Sequence, residues 1–109
     1  MTVETTRTFI EIKNDIIQGL QEIYDPEIPV NIYELGLIYE VNVDPGNSVH
    51  IVMTLTAPNC PAAEILPEEV KDKASEVDGV TDVNVEITFE PEWTMDNMSE
   101  TAKLELGLL

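Results

Sequence analysis

Residues Tyr39–Leu55 read YEVNVDPGNSVHIVMTL. Tyr39, Val41 and Val43 alternate with Glu40 and Asn42, and Val49, Ile51, Met53 and Leu55 alternate with His50 and Thr54. A period of two puts each apolar set on one face of a strand and leaves the other face wet. Between the two runs, Asp44-Pro45-Gly46-Asn47 is turn chemistry, with proline suited to the first central position and glycine to the second. The stretch is therefore an antiparallel hairpin that hides only one face.

The flanking segments supply the cover. Upstream, Ile12, Ile16, Ile17, Leu20 and Ile23 recur at helical spacing, with Glu11, Asp15 and Glu22 between them. Thr8-x-x-Glu11 can serve as a capping box, so the first helix is expected over roughly Phe9 to Tyr24. Asp25-Pro26 stops it, because a residue before proline avoids the helical region. Downstream, Leu66, Val70, Ala74 and Val77 are spaced for a helix closed at Asp78-Gly79 by a left-handed C-cap. Pro67 interrupts that helix and predicts a kink or a restart. Val83, Val85, Ile87 and Phe89 alternate as a third strand. Asn97-x-x-Glu100 could cap a short last helix that runs through Leu106 and closes at Gly107. The expected fold class is α+β: a two-layer domain in the order α-β-β-α-β-α, with a three-stranded sheet and its helices on one face.

The chain of 109 residues fits one domain of ordinary size, with residues 1–8 expected as a flexible N-terminus. Apolar residues make up 43%, enough to build a core. No apolar run approaches the roughly 20 residues of a membrane helix, and the N-terminus lacks the order of a signal peptide. Asp and Glu number 22 against 5 Lys and Arg, a formal net charge of −17. Arg7, Lys13, Lys71, Lys73 and Lys103 are scattered, so phosphate-rich nucleic acid and anionic membrane surfaces are repelled. A basic partner protein or a metal ion fits the charge; the plainer reading is that the charge keeps the chain soluble. The expected compartment is the cytoplasm.

Cys60 is the sole cysteine, which excludes an internal disulfide framework and a zinc site built from several cysteines of one chain. It follows a strand and precedes Pro61, a favoured first helical residue, so it is expected at the N-cap of the second helix. Helix N-termini stabilise thiolates, which act as nucleophiles or soft-metal ligands. The plainer reading is a buried cysteine used as a small apolar residue. PNCPAAE, with no glycine and no arginine, does not suit a phosphate-handling thiol. His50, the sole histidine, falls on the hairpin face opposite Val49 and Ile51, where a solvated strand histidine is expected. A second constellation is Asp25, Glu27 and Glu34 in the loop DPEIPVNIYELG. Those three carboxylates could hold a hard metal or help ligate iron. They could equally cap their own turns.

Three blocks carry a resemblance: DPEIPVNIYELGLIY (Asp25–Tyr39), TLTAPNCPAAE (Thr54–Glu64) and WTMDNMSETAKLELG (Trp93–Gly107). In this order and spacing the chain resembles the SufT-like and PaaD-like branch of the iron–sulfur cluster assembly domain family, from about Ile10 onward. The last block points to the SufT side. Pro67 and Glu92 depart from the family pattern. The resemblance implies an accessory factor or adaptor in iron–sulfur protein maturation, not an enzyme. Its functional cysteine would fall on Cys60 and its DPE loop on Asp25, Pro26 and Glu27, with Thr54 and Thr56 matching the Thr-x-Thr before the cysteine. The implied partners are the iron–sulfur assembly machinery and client apoproteins.

A cluster needs about four protein ligands, usually thiolates, and one chain offers a single thiol. A labile iron–sulfur cluster or iron would have to bridge subunits of a homodimer or borrow outside ligands; otherwise the chain holds neither and works as an adaptor. Two other readings are a thiol-dependent redox or nucleophilic enzyme using Cys60, and an acidic interaction module with a structural cysteine. Because adjacent antiparallel strands bring the start of one beside the end of the other, Cys60 and at least one of Asp25, Glu27 and Glu34 are expected to line one shallow site away from the Pro45-Gly46 turn.

Overall fold

The computed structural model describes residues 9–25, 28–56 and 65–107. The elements follow in the order α1 (Phe9–Leu20), β1 (Ile38–Val43), β2 (Ser48–Met53), α2 (Leu66–Ser75), β3 (Asp82–Ile87), a 3-10 turn (Met95–Asn97) and α3 (Glu100–Glu105). β1 pairs antiparallel with β2, and β3 pairs parallel with β2 on its other side, giving the sheet order β1-β2-β3. The parallel pairing requires a crossover, and α2 supplies it. The α+β architecture is the one that the two periodicities predict.

Burial explains the arrangement. Ile12, Ile16 and Leu20 of α1 and Leu66, Val70 and Ala74 of α2 are buried, as are Val41, Val49, Ile51, Met53 and Val83 of the sheet. Their side chains form one cluster, with α1 against β1, α2 against β3, and the helices touching each other. Each fully buried aliphatic side chain contributes about 1.5–3 kcal/mol, so this layer holds the helices in place. The exposed pair of Lys73 Nζ and Glu22 Oε1, at 2.8 Å, ties α2 to the end of α1 and adds little by comparison. Its hydrogen bond and charge raise the Lys73 ammonium above its usual pKa range. No helix among the described residues is long and apolar enough to cross a membrane.

Several local expectations change once the fold is seen. The helical part of α1 stops at Leu20, because a tightened turn carries the chain to Ile23, whose carbonyl accepts from Ile32 N at 2.8 Å. A bulge between Ile38 and Glu40 displaces Tyr39 from the alternation, so Val41 faces the core while Tyr39 sends its hydroxyl to Pro91 O at 2.8 Å. In the hairpin loop, Asn47 and not Gly46 takes the left-handed conformation (φ 63°). The loop is thus a type I turn followed by a left-handed residue, braced by Asp44 Oδ1, which accepts from Gly46 N and Ser48 N at 2.9 Å each. Pro67 does not kink a helix: α2 begins at Leu66, with Ile65 at its N-cap, so the proline sits in the first turn where its missing N–H has no partner to lose. β3 ends at Ile87, which leaves Phe89 beyond the sheet and 41% exposed. Ser99, not Asn97, caps α3; Asn97 instead completes a capping box with Thr94 around the 3-10 turn. The Thr8 cap and the flexible N-terminus expected over residues 1–8 lie outside the described residues.

Gly36 lies at a close crossing of two backbone segments. Its φ is +82°, and a Cβ built there would lie 2.2 Å from the Asn97 carbonyl oxygen and 2.7 Å from its carbon. Both atoms are backbone, so neither can swing aside. Gly107 has a similar φ of +77° but nothing within 4 Å of a built Cβ. A left-handed non-glycine residue costs roughly 1–2 kcal/mol. Gly107→Ala should lower stability in urea by about that much. Gly36→Ala should lower it clearly further, by about 3 kcal/mol or more, since the chain crossing above must also move. Equal losses in the two variants would show that the close approach is not a constraint.

Candidate functional site

The loop from Ile23 to Leu37 carries the first group of expected site residues. It is closed at its base by the Tyr24–Asn31 bridge, by Ile32 N donating to Ile23 O at 2.8 Å and by Asp25 N donating to Val30 O at 3.4 Å. Val30, Ile32, Leu35 and Leu37 are buried and hold the loop against the core. Packing of this kind builds residues 30–37 into the core, although glycine punctuates them.

Asp25 is buried, with 6% of its surface exposed, and Oδ1 accepts from Ile28 N at 3.2 Å. That bond is the turn-capping role that an aspartate before a proline-rich turn can take. Glu34 sits at the other end of the loop. Its own N–H donates to Asn31 Oδ1 at 2.9 Å, and its Oε1 accepts a hydrogen bond from Ser99 Oγ. Its carbonyl accepts from Ser99 N at 2.9 Å, and Ser99 Oγ also accepts from Ala102 N at 3.1 Å. One serine therefore caps α3 and engages Glu34 by both main chain and side chain. Next to it, Trp93 Nε1 donates to Leu35 O at 2.8 Å. Glu34, Leu35 and Gly36 thus form a shelf that receives Ser99, Trp93 and Asn97 in turn. Among the described residues, no three His, Cys, Asp or Glu side chains converge in a way that could hold a metal ion. Glu27 and Cys60 lie outside the described residues.

The chain approaches Cys60 from a defined place. Thr54 and Leu55, just past β2, are buried, and Thr54 N donates to Leu37 O at 2.8 Å. The start of β1 and the end of β2 are therefore neighbours, as the hairpin argument requires, and the shelf is three to one residues before Leu37. His50 takes the place its alternation predicts. It lies on the sheet face opposite the helices, where Nε2 is 3.0 Å from Glu86 Oε1. The docking of residues 93–99 on residues 34–36 had no counterpart in the spacing of the sequence. Glycine at position 36 was the one signal for it, and a loop glycine has many other causes.

Comparison with known proteins adds a further line. Residues 13–87 match the iron–sulfur cluster assembly protein family. A protein of Porphyromonas gingivalis named Fe-S protein maturation auxiliary factor is 54% identical over 101 residues, covering 93% of this chain and 96% of its own length. Fe-S protein maturation auxiliary factor SufT of Staphylococcus aureus is 40% identical, covering 79% of this chain and 98% of its own. The crystal structure of a domain of unknown function from Bacillus anthracis superposes with a TM-score of 0.85 at 33% identity, covering 93% of this chain and 96% of that one.

The Glu34–Ser99 contact yields a direct stability test. Ser99→Ala removes the helix cap and leaves the half-buried Glu34 carboxylate without its hydroxyl donor, which together should cost about 1–3 kcal/mol. Glu34→Gln keeps an acceptor in the same place and should cost less. A urea midpoint unchanged by Ser99→Ala would show that the C-terminal segment is held by its apolar contacts alone.

Proposed function

The chain belongs to the iron–sulfur cluster assembly protein family, and from that premise we propose that it serves as an accessory factor in iron–sulfur protein maturation. In this reading it works through the Cys60 thiol and the acidic Asp25–Glu34 loop, bringing a cluster carrier together with client apoproteins in the cytoplasm. The observation that carries the proposal is the 54% identity to a named maturation auxiliary factor over nearly the full length of both chains. Relatives of that name are auxiliary factors, which favours a non-enzymatic role.

The geometry supports the same reading. Thr56 lies two residues past the Thr54–Leu37 hydrogen bond, and Cys60 lies four residues past Thr56. Four residues span at most about 14 Å, so the Cys60 backbone stays within that reach of Thr56. The shelf and its loop end at Leu37, on the other side of the same bond. A shared site would combine one soft thiolate with hard oxygens from Asp25, Glu27 or Glu34, a set suited to holding iron loosely while it passes.

The ligand count argues for an adaptor over a store. A cluster requires about four protein ligands, and one chain brings one thiol; a homodimer would bring two. The cluster is then cargo that passes between partners, with this chain as a transient contact. Nucleic acid is no partner, because the net charge of −17 repels phosphates.

In a strain lacking the gene, the wild-type chain should restore the activity of iron–sulfur enzymes and Cys60→Ser should not. Full rescue by Cys60→Ser would remove the thiol from the mechanism. Anaerobic reconstitution with iron and sulfide separates the two forms of the reading. The adaptor predicts no visible absorption band that survives desalting. A stable band that Cys60→Ser abolishes would make the chain a carrier.

A further inference from the structure

Beyond β2 and β3 the chain leaves a cleft of about 430 Å³. Leu55 and Thr56 form one wall, and Phe89, Pro91 and Trp93 form the other. We propose that this cleft anchors an apolar side chain of a partner protein, in an extended segment where Lys or Arg flank that side chain. The inference rests on the maturation reading, since it assigns the partner to the carriers and clients of that process.

The cleft is built before anything binds. Trp93 is fixed by its 2.8 Å bond to Leu35 O, Pro91 by the 2.8 Å bond from the Tyr39 hydroxyl, and the strand end by Thr88 N donating to Met53 O at 2.9 Å. Walls already held in place save the ordering cost that weakens flexible sites, and the volume falls within the roughly 300–1,000 Å³ of ligand clefts. Phe89 remains 41% exposed there, an aromatic surface that folding leaves facing water. Aromatic residues at the centre of a cleft are the usual anchors of protein recognition.

Charge selects the occupant. Glu90 and Glu92 complete the lining, and among the described residues no Lys, Arg or His contributes to it. An apolar floor with an acidic rim accepts an apolar side chain with cations beside it, and those cations can also lie against the aromatic rings. An acidic segment would meet both the rim and the −17 of the whole chain. Thr56 is four residues from Cys60, so the thiol's point of attachment lies within about 14 Å of one wall of the cleft. The cleft would set which proteins present themselves to Cys60.

Trp93 is the sole tryptophan, so its fluorescence reports the cleft directly. The full chain is titrated with a capped glycine–lysine–phenylalanine–lysine–glycine peptide, which carries no tryptophan. A saturable change in Trp93 emission is expected, weakening as salt rises. Replacing the peptide's phenylalanine by alanine, or both lysines by glutamate, should weaken binding about tenfold or more, and so should Phe89→Ala or the double variant Glu90→Lys and Glu92→Lys. All three replaced residues are exposed, and unchanged thermal melting of the variants would show that the fold is intact. Equal binding of the glutamate peptide, equal binding of free phenylalanine, or no response to any peptide would overturn the proposal. If the deletion strain depends on the chain while the peptide fails to bind, only the cleft assignment falls. If the peptide binds as expected and the strain shows no dependence, the maturation reading falls and the cleft stands.

Discussion

The contact between Gly36 and the Asn97 carbonyl is the constraint on which this end of the molecule depends. With no Cβ at position 36, the backbone of residues 94–99 passes directly over the loop before β1. That approach lets Ser99 meet Glu34 and Trp93 meet Leu35. A side chain at position 36 would lift the crossing segment and loosen all of these hydrogen bonds together. One absent atom therefore joins the first and last of the three motif blocks, which lie more than 50 residues apart in sequence.

This joint also decides what the acidic loop can do. Glu34 is half-buried and engaged with Ser99, and Asp25 is buried and bonded to its own turn. Carboxylates held in this way are positioned acceptors rather than mobile surface charges. Val30, Ile32, Leu35 and Leu37 anchor the neighbouring backbone in the same core as the helices. The apolar packing that stabilises the fold thus also fixes the geometry of the candidate site.

The two sides of the sheet have separate work. The helix-covered side supplies stability, while the other side carries the exposed His50–Glu86 pair. The bulge at Tyr39 links the sides, because it frees that residue from the core pattern and lets its hydroxyl brace Pro91. Pro91 in turn shapes the cleft beside Phe89 and Trp93. An irregularity in one strand is thereby transmitted to a surface formed by another part of the chain.

Element order, the hairpin and the buried faces of α1 and α2 were legible in the sequence, because periods of two and 3.6 are local properties of the backbone that need no knowledge of the partner. Gly107 closes α3 with positive φ for the same local reason. By contrast, α2 stops at Ser75 with Glu76 as a right-handed cap, so the expected closure at Asp78-Gly79 falls instead in a separate turn beyond the helix, where Gly79 has positive φ. The family resemblance was legible too, from three blocks in order. The choices between locally equivalent options were not. Asn47 or Gly46 could turn the hairpin, Pro67 could kink a helix or begin one, and Asn97 or Ser99 could cap α3. Whether Tyr39 belonged to the core depended on the register against β2. For the α3 cap, Tyr39 and Gly36 the deciding contact lies far away in the chain: Glu34 selects Ser99, Met53 and Val52 set the bulge, and Asn97 requires glycine at position 36. Short-range periodicity carries no record of such pairings, which exist only once the helices have closed over the sheet.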